Sequence, residues 1–134
     1  MDPAVRDYVR QRARFCCEYC RLPERHAPVL PFHLEHIIPR QHGGTDDPNN
    51  LALSCHSCNL HKGPNLSGRA SHTLRLVRLF HPRRHKWSYH FHWDGPILVG
   101  RTAIGRVTVQ VLAMNDPDMV RIRESLIAEG IFPP

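Results

Sequence analysis

The 134-residue chain has room for one compact domain, or for a small module with a second lobe packed on it, but not for two independent domains. Eighteen Lys and Arg against twelve Asp and Glu give a formal net charge of +6, and eleven histidines can add to it on acidification, so a polyanionic partner is expected. No stretch approaches the roughly 18 apolar residues of a membrane span, and the opening MDPAVRDYVRQRAR lacks the apolar core of a signal peptide, which argues against a membrane protein and for a cytoplasmic one.

Residues 3 to 14 combine Pro3 at a helix start with Val5, Tyr8 and Val9 at near-helical spacing and four arginines, which predicts a basic amphipathic helix. It leads into CCEYC and then a polar loop holding Pro23, Pro28 and Pro31. A strand is predicted over residues 32 to 38, stopped by Pro39, and a second over LALS at 51 to 54. The RQHGGTDDPNN between them is dense in turn formers and must be a loop. SCHSCNLHKGP predicts a short helix with Ser54 as N-cap, Lys62 in its last turn and Gly63 and Pro64 as the stop. The order is therefore strand, long loop, strand, helix.

Beyond it, alternating apolar and basic positions run through LRLVRLFHPRRHKWSYHFHW, and DGPILVG predicts a turn with a short strand. Residues 102 to 114 fit a helix face through Ile104, Val107, Val111 and Leu112, or a strand through Val107, Val109 and Val111; a capping Thr102 favours helix. A final helix follows Asp116 as N-cap and Pro117, and ends before Gly130. There is no internal repeat and no low-complexity linker. The whole, residues 1–134, is expected to be a single α+β domain with a core at 15–64 and an extension at 65–134 packed on it.

In a reducing compartment five cysteines are not expected to form a disulfide framework, and Cys17-x-x-Cys20 with Cys55-x-x-Cys58 forms two knuckles that complete a tetrahedral four-sulfur zinc site. A redox pair is the weaker reading. A closed site of this kind is structural: a hairpin and a short helix bury too little surface to hold themselves, and the metal supplies the missing stability. Cys16 can replace Cys17 in register; the standard two-residue gap favours Cys17 and leaves Cys16 as a free, buried thiol.

Phosphodiester hydrolysis needs a base for water, a cation for the leaving oxygen and a group that orients the base. The segment EHIIPRQHGGTDDPNNL and the flanking knuckles offer a candidate for each. A histidine, with a reference pKa of about 6.5, is neutral and accepting over much of the physiological range, which suits His36 to the base. Glu35 and the amide oxygen of Asn59 suit Mg²⁺ or Mn²⁺, with waters and phosphate oxygens filling the remaining positions. Adjacent residues on a regular strand face opposite ways, so Glu35 and His36 share a site only if the strand ends there.

Cys17-x-x-Cys20, EHIIPRQHGGTDDPNNL and CHSCNLHKG together resemble the HNH endonuclease family in its zinc-knuckle branch, over residues 17 to 63, and the resemblance to small bacterial HNH proteins continues through LFHPRR and MNDP. The resemblance implies a ββα-metal (His-Me finger) core. It gives His36 the role of general base, Glu35 that of the metal-ligating acid, Asn50 that of the middle asparagine that bridges the loop and orients the base, and Asn59 that of the third-motif metal ligand, with His61 as a second candidate. Asp is the commoner residue before the histidine, so the longer Glu35 is a departure that bears on how the metal is held.

What the resemblance implies is metal-dependent cleavage of DNA, with RNA left open: nicking by a monomer, 5′-phosphate and 3′-hydroxyl products, and double-strand cleavage only through a homodimer or two encounters. Arg40, Lys62, Arg83, Arg84 and Lys86 are the expected phosphate contacts. Trp87, Tyr89, Phe91 and Trp93 alternate as a buried strand face would, although Trp87 or Tyr89 could instead stack on a base. The competing class is a zinc-ribbon nucleic-acid binder or adaptor in which the same residues are structural.

Overall fold

The computed structural model describes residues 1–27 and 30–134; Pro28, one of the expected loop prolines, lies outside them. Helix α1 is Pro3–Arg12, with the Asp2 carboxylate accepting from the Ala4 amide at 2.9 Å and Pro3 at the first position. It buries Val9 and delivers the chain to the first knuckle, which is closed by Cys17 N to Leu22 O and Arg21 N to Cys17 O, both 2.9 Å.

Strands β1 (His33–His36) and β2 (Leu51–Ser54) form an antiparallel hairpin in register from His33 opposite Ser54 to His36 opposite Leu51. Every residue of β2 is buried, which explains its unalternating LALS. β1 is shorter than the predicted 32 to 38 because the main-chain groups of Ile38 are taken by a side chain of the loop, Asn50, instead of by the ladder. Helix α2, His56–Lys62, follows at once; its N-cap is Cys55 and not Ser54, since Cys55 Sγ accepts from Cys58 N at 3.4 Å.

The loop between the strands is held by single 3₁₀ turns at Arg40–His42 and Pro48–Asn50. Gly44 is required there: a Cβ on it would lie 1.6 Å from the Ile38 carbonyl oxygen, so only a glycine lets the loop close back on the end of β1.

The C-terminal part is a hairpin of β3 (Ser67–Arg69) and β4 (Leu76–Arg78), a helical turn α3 (Trp87–His90), a second hairpin of β5 (Phe91–Asp94) and β6 (Ile97–Gly100), and helices α4 (Ala103–Val111) and α5 (Pro117–Ala128). The ambiguous 102 to 114 segment is helical, with Thr102 Oγ1 accepting from Gly105 N at 3.0 Å. Asp116 caps α5 as expected. β3 carries no apolar alternation, and nothing in its SGR announces a strand. The aromatic alternation proves not to be one strand face: Trp87 and Tyr89 lie on α3, Tyr89 is exposed, and Phe91 and Trp93 lie on β5.

One apolar cluster runs through both parts, joining Val9, Tyr19, Leu51 and Leu53 to Phe80, Phe91, Leu98 and Leu112. The architecture is α+β, small sheets and short helices around that cluster. Among the described residues no helix is long and apolar enough to cross a membrane.

Candidate functional site

Two polar constellations flank the β1–β2 hairpin. The first is the cysteine cluster: the sulfurs of Cys17, Cys20, Cys55 and Cys58 all lie within 4.8 Å of one another, and all four residues are buried. Cys20 and Cys55 are 3.7 Å apart, against about 3.8 Å for the edge of a tetrahedron with Zn–S bonds of about 2.3 Å. The donor set fits zinc, and four protein sulfurs leave no open position. Cys16 is outside the cluster and only half-buried, so Cys17 takes the ligand register and the expectation of a buried Cys16 is corrected.

The second constellation begins at Asn50, whose side chain ties the loop to the end of β1. Its Oδ1 accepts from Ile38 N at 2.9 Å, and its Nδ2 donates to Ile38 O at 3.0 Å and Thr45 O at 2.8 Å. The amide acts as a main-chain mimic, extending the ladder one step beyond the strand while fixing the loop. That loop carries Asp46, which sequence reasoning did not single out. Its Oδ1 lies 2.8 Å from His36 Nε2 and 2.7 Å from Arg40 Nη2, which also donates to Oδ2 at 2.9 Å. The His36 hydrogen bond first, and Arg40 after it, hold the Asp46 carboxyl below the ordinary carboxylate range. The acidic stretch TDDPNN was the only signal, and loop geometry alone decides which of its two aspartates turns to the histidine.

Glu35 is placed otherwise than the family pattern suggests. β1 remains regular through His36, so Glu35 turns inward. Its carboxylate receives the Tyr19 hydroxyl and, at 3.1 Å, the Lys62 ammonium. Burial pushes the Glu35 carboxyl up, against the opposing pull of Lys62 and Tyr19. Burial and the nearby Glu35 charge push the Tyr19 phenol up as well.

Lys62 is thereby removed from the expected phosphate contacts. It is 2% exposed, and its ammonium also donates to Ile37 O at 3.0 Å and His36 O at 3.4 Å, so its three protons are used within the fold.

An open cleft of about 410 Å³ is lined by Glu35, His36, Arg40 and Asn59, with Gly63 and Pro64 at the end of α2. His61 is not among its lining residues: two positions from Asn59, it lies about 200° around the helix, and its Nδ1 is 2.8 Å from Ser57 O. Arg83 is likewise withdrawn, half-buried in an ion pair with Glu18, whose other oxygen accepts from Leu53 N at 2.8 Å. Burial, and then the neighbouring Arg12, lower the Arg83 guanidinium to about 10. Arg84 and Lys86 are exposed. Trp87 donates its indole N–H to Tyr19 O at 2.7 Å and stacks at an angle on Phe91 and Trp93, a packing role.

Residues 17–65 match the HNH endonuclease family model. The matched segment begins at Cys17, the first cysteine of the cluster, takes in Glu35, His36, Asn50 and Asn59, and ends just past α2, so it contains both constellations. No curated protein and no solved structure matches the chain.

Proposed function

We propose that the protein is a divalent-metal-dependent endonuclease that hydrolyses phosphodiester bonds of DNA, nicking one strand per encounter. The observation that carries this is the opening of His36 and Asn59 onto one cleft, beside a loop clamped by Asn50, within the segment that matches the HNH endonuclease model.

His36 is the base. With Nε2 donating to the Asp46 carboxylate, the ring nitrogen left as acceptor is Nδ1, which takes a proton from the attacking water. The water oxygen bonds to phosphorus, the bond to the 3′ oxygen breaks, and that oxygen takes a proton from solvent, leaving 5′-phosphate and 3′-hydroxyl ends. The Asn59 amide oxygen, joined by Glu35 were its carboxylate to turn from Tyr19 and Lys62 to the cleft, would make a sparse oxygen donor set that fits Mg²⁺ or Mn²⁺, ions that keep several waters and take phosphate oxygens for the rest. Such an ion supplies positive charge where the leaving oxygen develops its negative charge. The Lys62 ammonium already compensates Glu35 and would disfavour a second cation beside it. His61 is left out of the ligand set.

Supercoiled plasmid incubated with the purified protein and Mg²⁺ or Mn²⁺ should relax to the nicked circle, and DNA ligase should reseal the nicks with no end treatment. The burial of Glu35 against Lys62 and Tyr19 favours one other reading, a non-catalytic zinc-ribbon binder. Failure to nick with either metal from pH 6 to 9 would favour that reading instead.

A further inference from the structure

From residue 48 to residue 93 the sequence contains no Asp or Glu. The β3–β4 hairpin lies in this stretch, beyond the family-matched segment, and it is seated hard on α4. A Cβ at Gly68 would come within 2.5 Å of Val111 Cγ2 and 2.7 Å of Val107 Cγ1. With Gly68 paired to Val77 and turned to the helix, Arg69, Leu76 and Arg78 alternate to the opposite face. Leu74 and Leu76 are 63% and 77% exposed.

Between the hairpin's turn and α4 opens a cleft of about 540 Å³ whose wall includes Arg75, Arg78, Arg106 and His72, and no acid. Among the described residues none of these three arginines is in an ion pair, whereas Arg10, Arg40, Arg83 and Arg121 each have an acidic partner. Arg78 also lines a smaller cavity, about 100 Å³, together with Arg84, Lys62 and Asn65. Gly63 and Pro64, which precede Asn65, line the His36 cleft. The two outer spaces therefore share Arg78, and the segment from Gly63 to Asn65 runs from the His36 cleft to the nearer of them.

We infer that this track is a second nucleic-acid contact, in which the DNA backbone leaving the His36 cleft seats its phosphates on Arg78, Arg75 and Arg106. Three guanidiniums without internal partners repel one another, and a polyanion at phosphate spacing relieves that while using their paired donors bidentately. Leu74 and Leu76 then meet sugars and base edges, the apolar contact that exposed aliphatic side chains make in a nucleic-acid groove. The choice of DNA as the polyanion rests on the nuclease function proposed above.

The test is binding of a labelled duplex of about 20 base pairs without added divalent ion, so that no cleavage intervenes, from about 50 to 200 mM KCl. The chains compared are wild type, Arg75→Ala/Arg106→Ala, its Lys/Lys counterpart, and an Arg6→Ala/Arg121→Ala control on α1 and α5. The Ala pair should bind about tenfold more weakly, with a log–log salt slope shallower by about two, roughly 0.9 per lost phosphate contact. The Lys pair should keep the wild-type slope, and the control should stay within about twofold. Equal zinc content and melting temperature would show that the Ala pair is folded. A wild type that does not nick, with the binding loss intact, would sink the nuclease function but uphold the track. Unchanged duplex affinity and slope in the Ala pair would overturn the track, and loss of polyglutamate binding alone would reassign it to an acidic protein.

Discussion

The two constellations beside the β1–β2 hairpin are built on opposite plans. The cysteine cluster is buried, made of four like donors, and complete within the chain. The His36 cleft is open and made of unlike groups. The first holds the fold, and the second is held by it: the knuckles anchor α2, which presents Asn59, while the loop anchored by Asn50 presents Asp46 to His36. Mutation of the closed site should therefore be felt first in stability, and mutation of His36 first in chemistry.

The largest effect should come from the closed site. Cys58→Ser removes one of four zinc ligands, and apparent structural-zinc affinities of about 10–16 kcal/mol exceed or match a domain's whole net stability. The expected outcome is loss of zinc and of cooperative thermal unfolding, read by metal analysis and circular dichroism.

Next is Lys62→Met, which strands the buried Glu35 carboxylate and should cost about 3–5 kcal/mol. Burial already raises the Glu35 carboxyl, and removal of the ammonium raises it further. A group raised in the fold favours folding when protonated, so the deficit should be least in acid and grow as pH rises through the raised value. Urea denaturation of Lys62→Met and of Lys62→Met/Glu35→Gln should find most of the loss recovered in the double variant.

Asn50→Ala removes three hydrogen bonds at the loop's root and should cost about 1–3 kcal/mol, with nicking falling alongside stability. Asp46→Asn should have the smallest effect, lowering nicking about two- to fivefold with melting unchanged near neutral pH, because the contact is solvent-exposed. As Asp46 is held below the ordinary range, its ionised contact is present above that range and lost only as pH falls through the lowered value.

The closed site was legible in the sequence because its chemistry is local: two Cys-x-x-Cys spacings each set a knuckle whatever surrounds them. The same holds for Thr102 and Asp116, whose capping oxygens act within three residues. Lys62 and Arg83 were misplaced because their environments come from residues 27 and 65 positions away, Glu35 and Glu18, and a charged residue in a helix's last turn or a basic run looks solvated until its buried partner is known. Glu35 reads as a ligand by motif, yet the ladder that continues through His36 turns it inward. β3 escaped notice because its place is set by the fit of Gly68 against Val107 and Val111, a fact of α4 and not of SGR.

The separation is tested most directly by His36→Ala in the plasmid-nicking assay, compared with wild type at equal zinc content and equal melting temperature. The expected result is at least a hundredfold loss of Mg²⁺- or Mn²⁺-dependent nicking, the lower end of what a positioned base contributes, with zinc and stability unmoved. Nicking by His36→Ala at the wild-type rate would contradict the assignment of chemistry to this cleft.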